Sequence, residues 1–374
     1  MLSNFPWLQK TYDFLVDSYH AQRAHHAYIL VYNGEIGQEA LINLFSQFLL
    51  CRENSRPEQR LPCGQCRACQ AYNLKSNGDL FDLQAGDPEK LISVDSIRTM
   101  IERIELEPVT SAQNVVTIYN ASKFNSYSAN AILKTLEEPP AHTHFLLGLP
   151  AGYSVLPTIR SRCMVLNLPE PSPEQIEEFL SYYEIAQPER SYLKYLAPKQ
   201  PSLMLKMHQK DFMHNYLNLN QKLLTLMQNL EVADFVEAFN CNDLEVFSWQ
   251  LESLSQLLTY IGKVFLLNET DEHDPLAQIF KFDENSATIK VINYLKESLQ
   301  EAYDVEKLYD LVDRLLILHT QLTHFAPQLG SENSLKGIAY KIGSLIALFT
   351  YSLMNISNPE EFYIEQLKNK AQNQ

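Results

Sequence analysis

The sequence predicts an α/β half built on a parallel sheet, followed by a half that is all helix. Three observations predict it. Short apolar runs rich in β-branched and aromatic residues alternate with helical repeats up to about residue 167. Those runs contain few polar residues, as strands covered on both faces require. From about Lys210 onward the apolar residues keep a helical step, with no strand pattern between them. At 374 residues the chain is too long for one small core, and two or three domains are expected.

In chain order, Trp7, Leu8, Tyr12, Leu15 and Val16 share one face of a first helix over residues 6–20. His26 to Tyr32 reads as a covered strand. Ala40, Leu41, Leu44, Phe45, Phe48 and Leu49 then repeat as a helix up to Cys51. Asp79 to Leu83 fits a second strand. Val94 opens a helix that turns Ile97, Ile101 and Ile104 inward, with Asp95 or Ser96 near its start. Asn114 to Tyr119 is another strand. Ala129, Ile132, Leu133 and Leu136 fall at i, i+3, i+4 and i+7 of a helix that Ser126 or Ser128 can cap and that Pro139-Pro140 must end. His144 to Gly148 reads as a buried strand, and Pro157 to Cys163 as a turn presenting Arg160 and Arg162 beside the apolar run Met164 to Leu168.

Leu168-Pro-Glu-Pro171 reads as a stiff link, and Ser172-Pro-Glu-Gln175 as a capping box opening a helix to about Tyr183. Short helices broken by Pro188, Pro198 and Pro201 continue to about His208. Farther on, Phe247, Leu251, Leu254, Leu258 and Ile261 step by 4, 3, 4 and 3, and Leu308, Leu311, Leu315, Leu318 and Leu322 by 3, 4, 3 and 4. Such seams suit a bundle closing on itself, or packing against an equivalent domain. The segment 268–285 reads as an acidic loop, and the tail from Glu360 is polar.

Composition narrows the function. Apolar residues at 45% and charged ones at 20% are those of an ordinary globular protein. A net charge of -15, with 30 Lys and Arg against 45 acids, argues against tight DNA binding by the chain alone. Met1 to Trp7 lacks a basic segment followed by an apolar one, and Ile342 to Pro359 reads as a buried helix rather than a bilayer span. A cytoplasmic protein without a membrane partner is expected.

A strand, a glycine-containing turn and a helix are the setting of a phosphate loop, so Asn33 to Glu39 has to be tested against G-x-x-x-x-G-K-[ST]. Gly37 is kept. Tyr32 replaces the first glycine, Gln38 the lysine and Glu39 the magnesium-binding hydroxyl, where a carboxylate repels a triphosphate. The turn is expected to be degenerate.

Cys51-x11-Cys63-x2-Cys66-x2-Cys69 offers four soft sulfur ligands, which suit a structural tetrahedral zinc ion. An iron-sulfur cluster and unmetallated buried thiols are the alternatives, although Gln70 to Asn73 lacks the cysteine with which a ferredoxin run continues. Cys163 and Cys241 read as isolated buried thiols.

Ser128-Ala-Asn-Ala-Ile-Leu-Lys-Thr-Leu-Glu-Glu-Pro-Pro140 followed by Ser161-Arg-Cys163 closely resembles the clamp-loader subunits of bacterial DNA polymerase III. Val94-Asp-x-x-Arg98 and the four-cysteine insertion also occur there. The resemblance implies a RecA-like AAA+ domain with a five-stranded parallel sheet and a structural Zn2+ module at 51–69, together spanning 1–167. It further implies a small helical lid over 168–209 and a helical collar over 210–374. In the ATP-hydrolysing relatives the strand matching Asn114 to Tyr119 ends in an Asp-Glu pair, and a threonine sensing the γ-phosphate follows the next strand. Here those places hold Tyr119-Asn120 and Leu149-Pro150.

The resemblance therefore implies a member that binds no ATP productively and is no enzyme on its own, being an accessory of a nucleotidyltransferase complex. Arg162 would be its mechanistic residue, an arginine finger supplied in trans to a neighbouring subunit's ATP, with Arg160 a weaker candidate. Implied partners are the gamma and tau ATPase subunits and the delta subunit, with the sliding clamp and primed DNA reached through the complex. An ATP-hydrolysing motor of gamma or tau type, and a zinc-dependent nucleic-acid-binding module, are the rival readings.

Overall fold

A computed structural model of the chain describes residues 2–84, 87–267, 287–302, 306–329 and 332–353. The acidic segment 268–285 and the tail from Glu360 lie outside the described residues. The chain divides into two compact units, Met1–Glu184 with Lys199–Leu203, and Ile185–Pro198 with Met204–Gln374. The segment 168–209 contributes to both.

The first unit carries helices α1 (Gln9–His20), α2 (Gln38–Leu50), α3 (Arg67–Asn73), α4 (Val94–Ile104), α5 (Ser126–Glu137), α6 (Pro157–Arg160) and α7 (Pro173–Tyr182). Its strands are β1 (Ala27–Tyr32), β2 (Leu80–Asp82), β3 (Asn114–Ile118), β4 (Thr143–Pro150) and β5 (Met164–Asn167). They form one five-stranded sheet in the order β2-β3-β4-β1-β5, every neighbouring pair parallel. The expected α/β architecture with a parallel sheet is thus present. Ala27 stands opposite Phe145 of β4, and Tyr28 opposite Met164 of β5.

Alternation along β1 divides the core. Ile29 joins Val116, Ile118, Phe145 and Leu147 in one apolar cluster with Ile97, Met100 and Ile104 of α4 and Ala129, Ile132 and Leu136 of α5. Tyr28 instead meets Phe45 of α2 edge-on at 6.3 Å, and Phe45 in turn meets Tyr12 of α1. Both faces of the sheet are covered, which explains why its strands contain few polar residues.

Helix ends differ from expectation in detail. Asn125, not Ser126 or Ser128, caps α5: its side chain accepts from the amides of Tyr127 and Ser128, and the Ser128 hydroxyl accepts from the Asn125 amide. Ser93 rather than Asp95 or Ser96 caps α4, accepting from the Ser96 amide at 3.0 Å. In both cases the cap is the residue still in extended conformation, and a spacing pattern does not reveal which of several polar neighbours that is. The capping box at Ser172 and Gln175 forms as expected. Pro157 to Arg160, expected as a turn, closes one helical turn.

The second unit is all helix among its described residues: α8 (Glu189–Leu196), α10 (Phe212–Asn229), α11 (Val232–Val236), α12 (Leu244–Leu267), α13 (Ala287–Ala302), α14 (Glu306–Leu329) and α15 (Glu332–Leu353), with α9 (Pro201–Gln209) beginning in the first unit. Phe247, Leu251, Leu254, Leu258 and Ile261 are fully buried along α12, and Leu308, Leu311, Leu315 and Leu318 are buried along α14. Those two helices pack on each other, so the seams close within the unit. Among the described residues no helix is long and apolar enough to cross a membrane.

Candidate functional site

The turn after β1 has the backbone of a phosphate loop and the contents of a packed joint. Gly37 sits at φ 91°, the left-handed region that favours glycine, and leads into α2 without a side-chain cap. A helix start of this kind attracts anions through its free amides. Here two amides of the preceding turn, those of Glu35 and Ile36, are already used. The Gln38 side chain turns back so that its oxygen accepts from the Ile36 amide at 3.1 Å, and the Glu35 amide donates to the Gln200 side-chain oxygen at 3.3 Å. The Ser202 amide donates to the Glu35 carbonyl at 3.0 Å, and the Trp7 indole donates to the Ile36 carbonyl at 2.9 Å.

The space is taken as well. A Cβ on Gly37 would meet the Phe5 ring at 2.4 Å, and one on Gly34 would meet the Gln200 side chain at 2.5 Å. Such distances mean that the Phe5 ring and the Gln200 amide lie directly on the loop. Neither residue carries a signal in the sequence, since both come from segments far from the loop.

On the far side of the site the residues after β3 are engaged with their own neighbours. Beyond β3, Tyr119 donates to the Asn43 side chain at 2.6 Å, and Asn120 turns its side chain to the Ser122 amide and to Glu89. Burial holds the Tyr119 and Tyr32 hydroxyls well above the usual phenol range. Gly148 of β4 packs against the Tyr119 carbonyl, 2.2 Å from where a Cβ would stand. A cavity of about 950 Å³ remains beside α2, lined by Glu39, Tyr72, Lys75, Asp82 and Tyr119 among others. Two carboxylates against one lysine make it unfavourable for a triphosphate.

Arg162 follows α6 and lies at the surface of the first unit, its side chain 28% exposed. One terminal nitrogen, Nη1, donates to the Thr158 carbonyl at 2.7 Å and to the Ser161 hydroxyl at 3.2 Å. The other, Nη2, is paired with Glu137, the last residue of α5. Its Nε is buried without an acceptor. Glu170, the nearer carboxylate in sequence, pairs instead with Asn33 and Lys199. Arg160 is exposed, and among the described residues its guanidinium has neither hydrogen bond nor ion pair.

The four cysteines converge. Cys51 ends α2, Cys66 caps α3 and Cys69 lies in its first turn. Their sulfur atoms and that of Cys63 all lie within 4.8 Å of one another, with Cys63 to Cys69 and Cys51 to Cys66 at 4.0 Å. Ligands about 2.3 Å from a tetrahedral zinc ion stand about 3.8 Å apart, so the set fits such an ion with little adjustment. Backbone amides support three of the sulfurs: Cys63 N donates to Cys51, Cys66 N to Cys63 and Cys69 N to Cys66. None of the four forms a disulfide. Burial pushes the Cys51 and Cys69 thiols up. At Cys66 burial acts the same way, but hydrogen bonds from backbone and neighbouring thiols outweigh it and bring the group down to about 7. Cys163 and Cys241 stand apart from this cluster, both raised by burial.

A five-stranded parallel sheet with a packed loop after its β1 strand, a four-cysteine cluster and an arginine displayed beside β5 fits a subunit of clamp-loader type. The comparisons narrow this. Residues 7–172 match the family model described as DNA polymerase III, delta subunit. The chain is 36% identical to DNA polymerase III subunit delta' of Escherichia coli over 171 residues, covering 46% of this chain and 50% of that one. It is 28% identical to the delta' subunit of Haemophilus influenzae over 334 residues, covering 86% and 99%. The tau/gamma subunit of the same organism is 31% identical over 160 residues, covering 43% of this chain and 22% of that one. The aligned part is thus about half the length of the first relative and nearly all of the second. Over residues 7–172 the chain is thus similar to the delta-prime subunits of DNA polymerase III.

Proposed function

We propose that this chain is the stator of its clamp loader, which neither binds ATP productively nor hydrolyses it and lends Arg162 in trans to the nucleotide of a neighbouring ATPase subunit. The observation that carries the reading is the packed phosphate loop, where Gln38 and Gln200 take the Ile36 and Glu35 amides and Phe5 fills the space over Gly37. A guanidinium keeps its charge at any physiological pH and presents a planar fork to phosphate oxygens. That is what a charge delivered from a neighbour must do in phosphoryl transfer.

The neighbours in this reading are gamma or tau ATPase subunits and the delta subunit, and the complex sets a sliding clamp on primed DNA during replication in the cytoplasm. Residues 1–167 form its AAA+ domain, with a structural zinc ion held by Cys51, Cys63, Cys66 and Cys69. Residues 168–209 form a lid and 210–374 a collar that joins the ring. The four thiolates would fix the loop between α2 and α3, and the ion would supply cross-linking without taking part in hydrolysis.

The test has two arms. The isolated chain should show no micromolar affinity for ATP in titration calorimetry, and Arg162→Ala should assemble normally yet slow DNA-stimulated ATP hydrolysis by the reconstituted complex. Tight ATP binding, or hydrolysis unaffected by the substitution, overturns the reading.

A further inference from the structure

We propose that Glu137 is a positioning residue for Arg162, holding its guanidinium in the orientation offered to a neighbour's phosphate; this rests on the stator reading above. Arg162 is held at both ends of its fork. Thr158 and Ser161, which hold Nη1, belong to the same turn as Arg162 and move with it. Glu137 lies 25 residues away on α5, and among the described residues it is the contact that ties the fork to another element.

The backbone under Glu137 is well fixed. It closes the last turn of α5, the Glu138 amide donates to the Lys134 carbonyl at 3.0 Å, and Pro139-Pro140 prevents the helix from extending. Ile132 and Leu136 anchor that same helix in the core of the sheet domain. The chain of support runs from the core through α5 and the Glu137 carboxylate to the guanidinium.

Counting donors shows what is left to offer. A guanidinium has five N–H groups. Both on Nη1 are directed at Thr158 and Ser161, Nε is buried, and one on Nη2 meets Glu137. The second hydrogen on Nη2 remains for an acceptor outside the chain. Arg160, two residues earlier, supplies the contrast: an exposed arginine of the same turn with no such anchor. Glu137 is itself 48% exposed, so solvent and salt screen its charge and it subtracts little from the attraction of the fork for phosphate.

The experiment uses the complete complex with its ATPase subunits, clamp and primed DNA, at saturating ATP. Glu137→Ala is expected to lower the DNA-stimulated hydrolysis rate about tenfold, less than the roughly hundredfold that a 1 Å misplacement can cost, because Thr158 and Ser161 still hold the other end of the fork. Glu137→Gln, which keeps an acceptor oxygen in the same place, should restore most of the rate. The double variant Glu137→Ala/Arg162→Ala should be no slower than Arg162→Ala, because a residue acting through Arg162 has nothing left to position. A rate unchanged or raised in Glu137→Ala overturns the proposal, the latter by showing that the carboxylate competes with phosphate. So does a double variant slower than Arg162→Ala by the full factor seen for Glu137→Ala. If Arg162→Ala alone leaves hydrolysis intact, the finger reading falls and this proposal with it. If Arg162→Ala slows it and Glu137→Ala does not, only the positioning role falls.

Discussion

The Gln38 side-chain oxygen accepts from the Ile36 amide at 3.1 Å, so the residue standing where a phosphate-loop lysine belongs caps the loop from within. Restoring the motif alone should therefore fail. Gln38→Lys with Glu39→Thr leaves the Phe5 ring over Gly37 and the Gln200 oxygen on the Glu35 amide. Titration calorimetry of that variant is expected to show no ATP affinity tighter than about 1 mM. Micromolar binding would mean that Phe5 and Gln200 yield readily.

The four-sulfur cluster predicts one zinc per chain by elemental analysis. Cys69→Ser, at a buried corner, should abolish it and lower the melting temperature of the first unit. Each ligand binds as thiolate, and burial holds Cys51 and Cys69 protonated in the metal-free cluster, so zinc uptake releases protons. The sign follows: affinity, measured by competition with a chromophoric chelator, should rise with pH through 7 to 8. An affinity flat across that range counts against thiolate ligation.

Asp79 predicts a large loss of stability on its removal. It is 5% exposed and its carboxylate accepts from the backbone amides of Val109, Thr110 and Ser111 at 3.0, 2.8 and 2.7 Å. Removing it leaves three amides without their acceptor. Asp79→Ala should cost about 3 kcal/mol in urea unfolding, whereas a loss below about 1 kcal/mol would show that water replaces the carboxylate.

His144 makes stability depend on pH. Burial, with like-charged His26, His142 and His25 nearby, pushes it down from 6.5 to about 4, against the opposing effect of the His25 carbonyl. The unfolded chain therefore takes up a proton below pH 6.5 that the folded chain declines, and stability falls as pH drops from 6.5 toward 4. By pH 5 the loss attributable to this group is about 1–2 kcal/mol. His144→Gln should flatten the unfolding free energy across that range relative to the parent chain, and parallel curves would clear His144 of the effect.

Much of the sheet domain was legible because its information is local. The covered run over Ala27 to Tyr32, the repeat through Phe45 and Phe48, and the spacing of Cys63, Cys66 and Cys69 each declare themselves within a few residues. What stayed hidden depends on contacts between distant segments. No periodicity connects Phe5 to Gly37, or Gln200 to Glu35, and those contacts fill the loop whose lost motif was plain. Arg162 stands out by its motif, but its pairing with Glu137 across 25 residues does not, because no spacing pattern links the turn after α6 to the end of α5. The caps at Asn125 and Ser93 turned on the conformation of one residue among several suitable ones.

The ring of Phe5 seated on Gly37 bears on how such a protein can change over time. In the proposed stator, a lysine placed at residue 38 would gain nothing while the aromatic ring stays over the loop, and removing the ring first would open a hollow without a lysine to hold phosphate. Under that reading each single step toward ATP binding is neutral or harmful until several have accumulated. The packing over Gly37 makes such a change a matter of several residues at once.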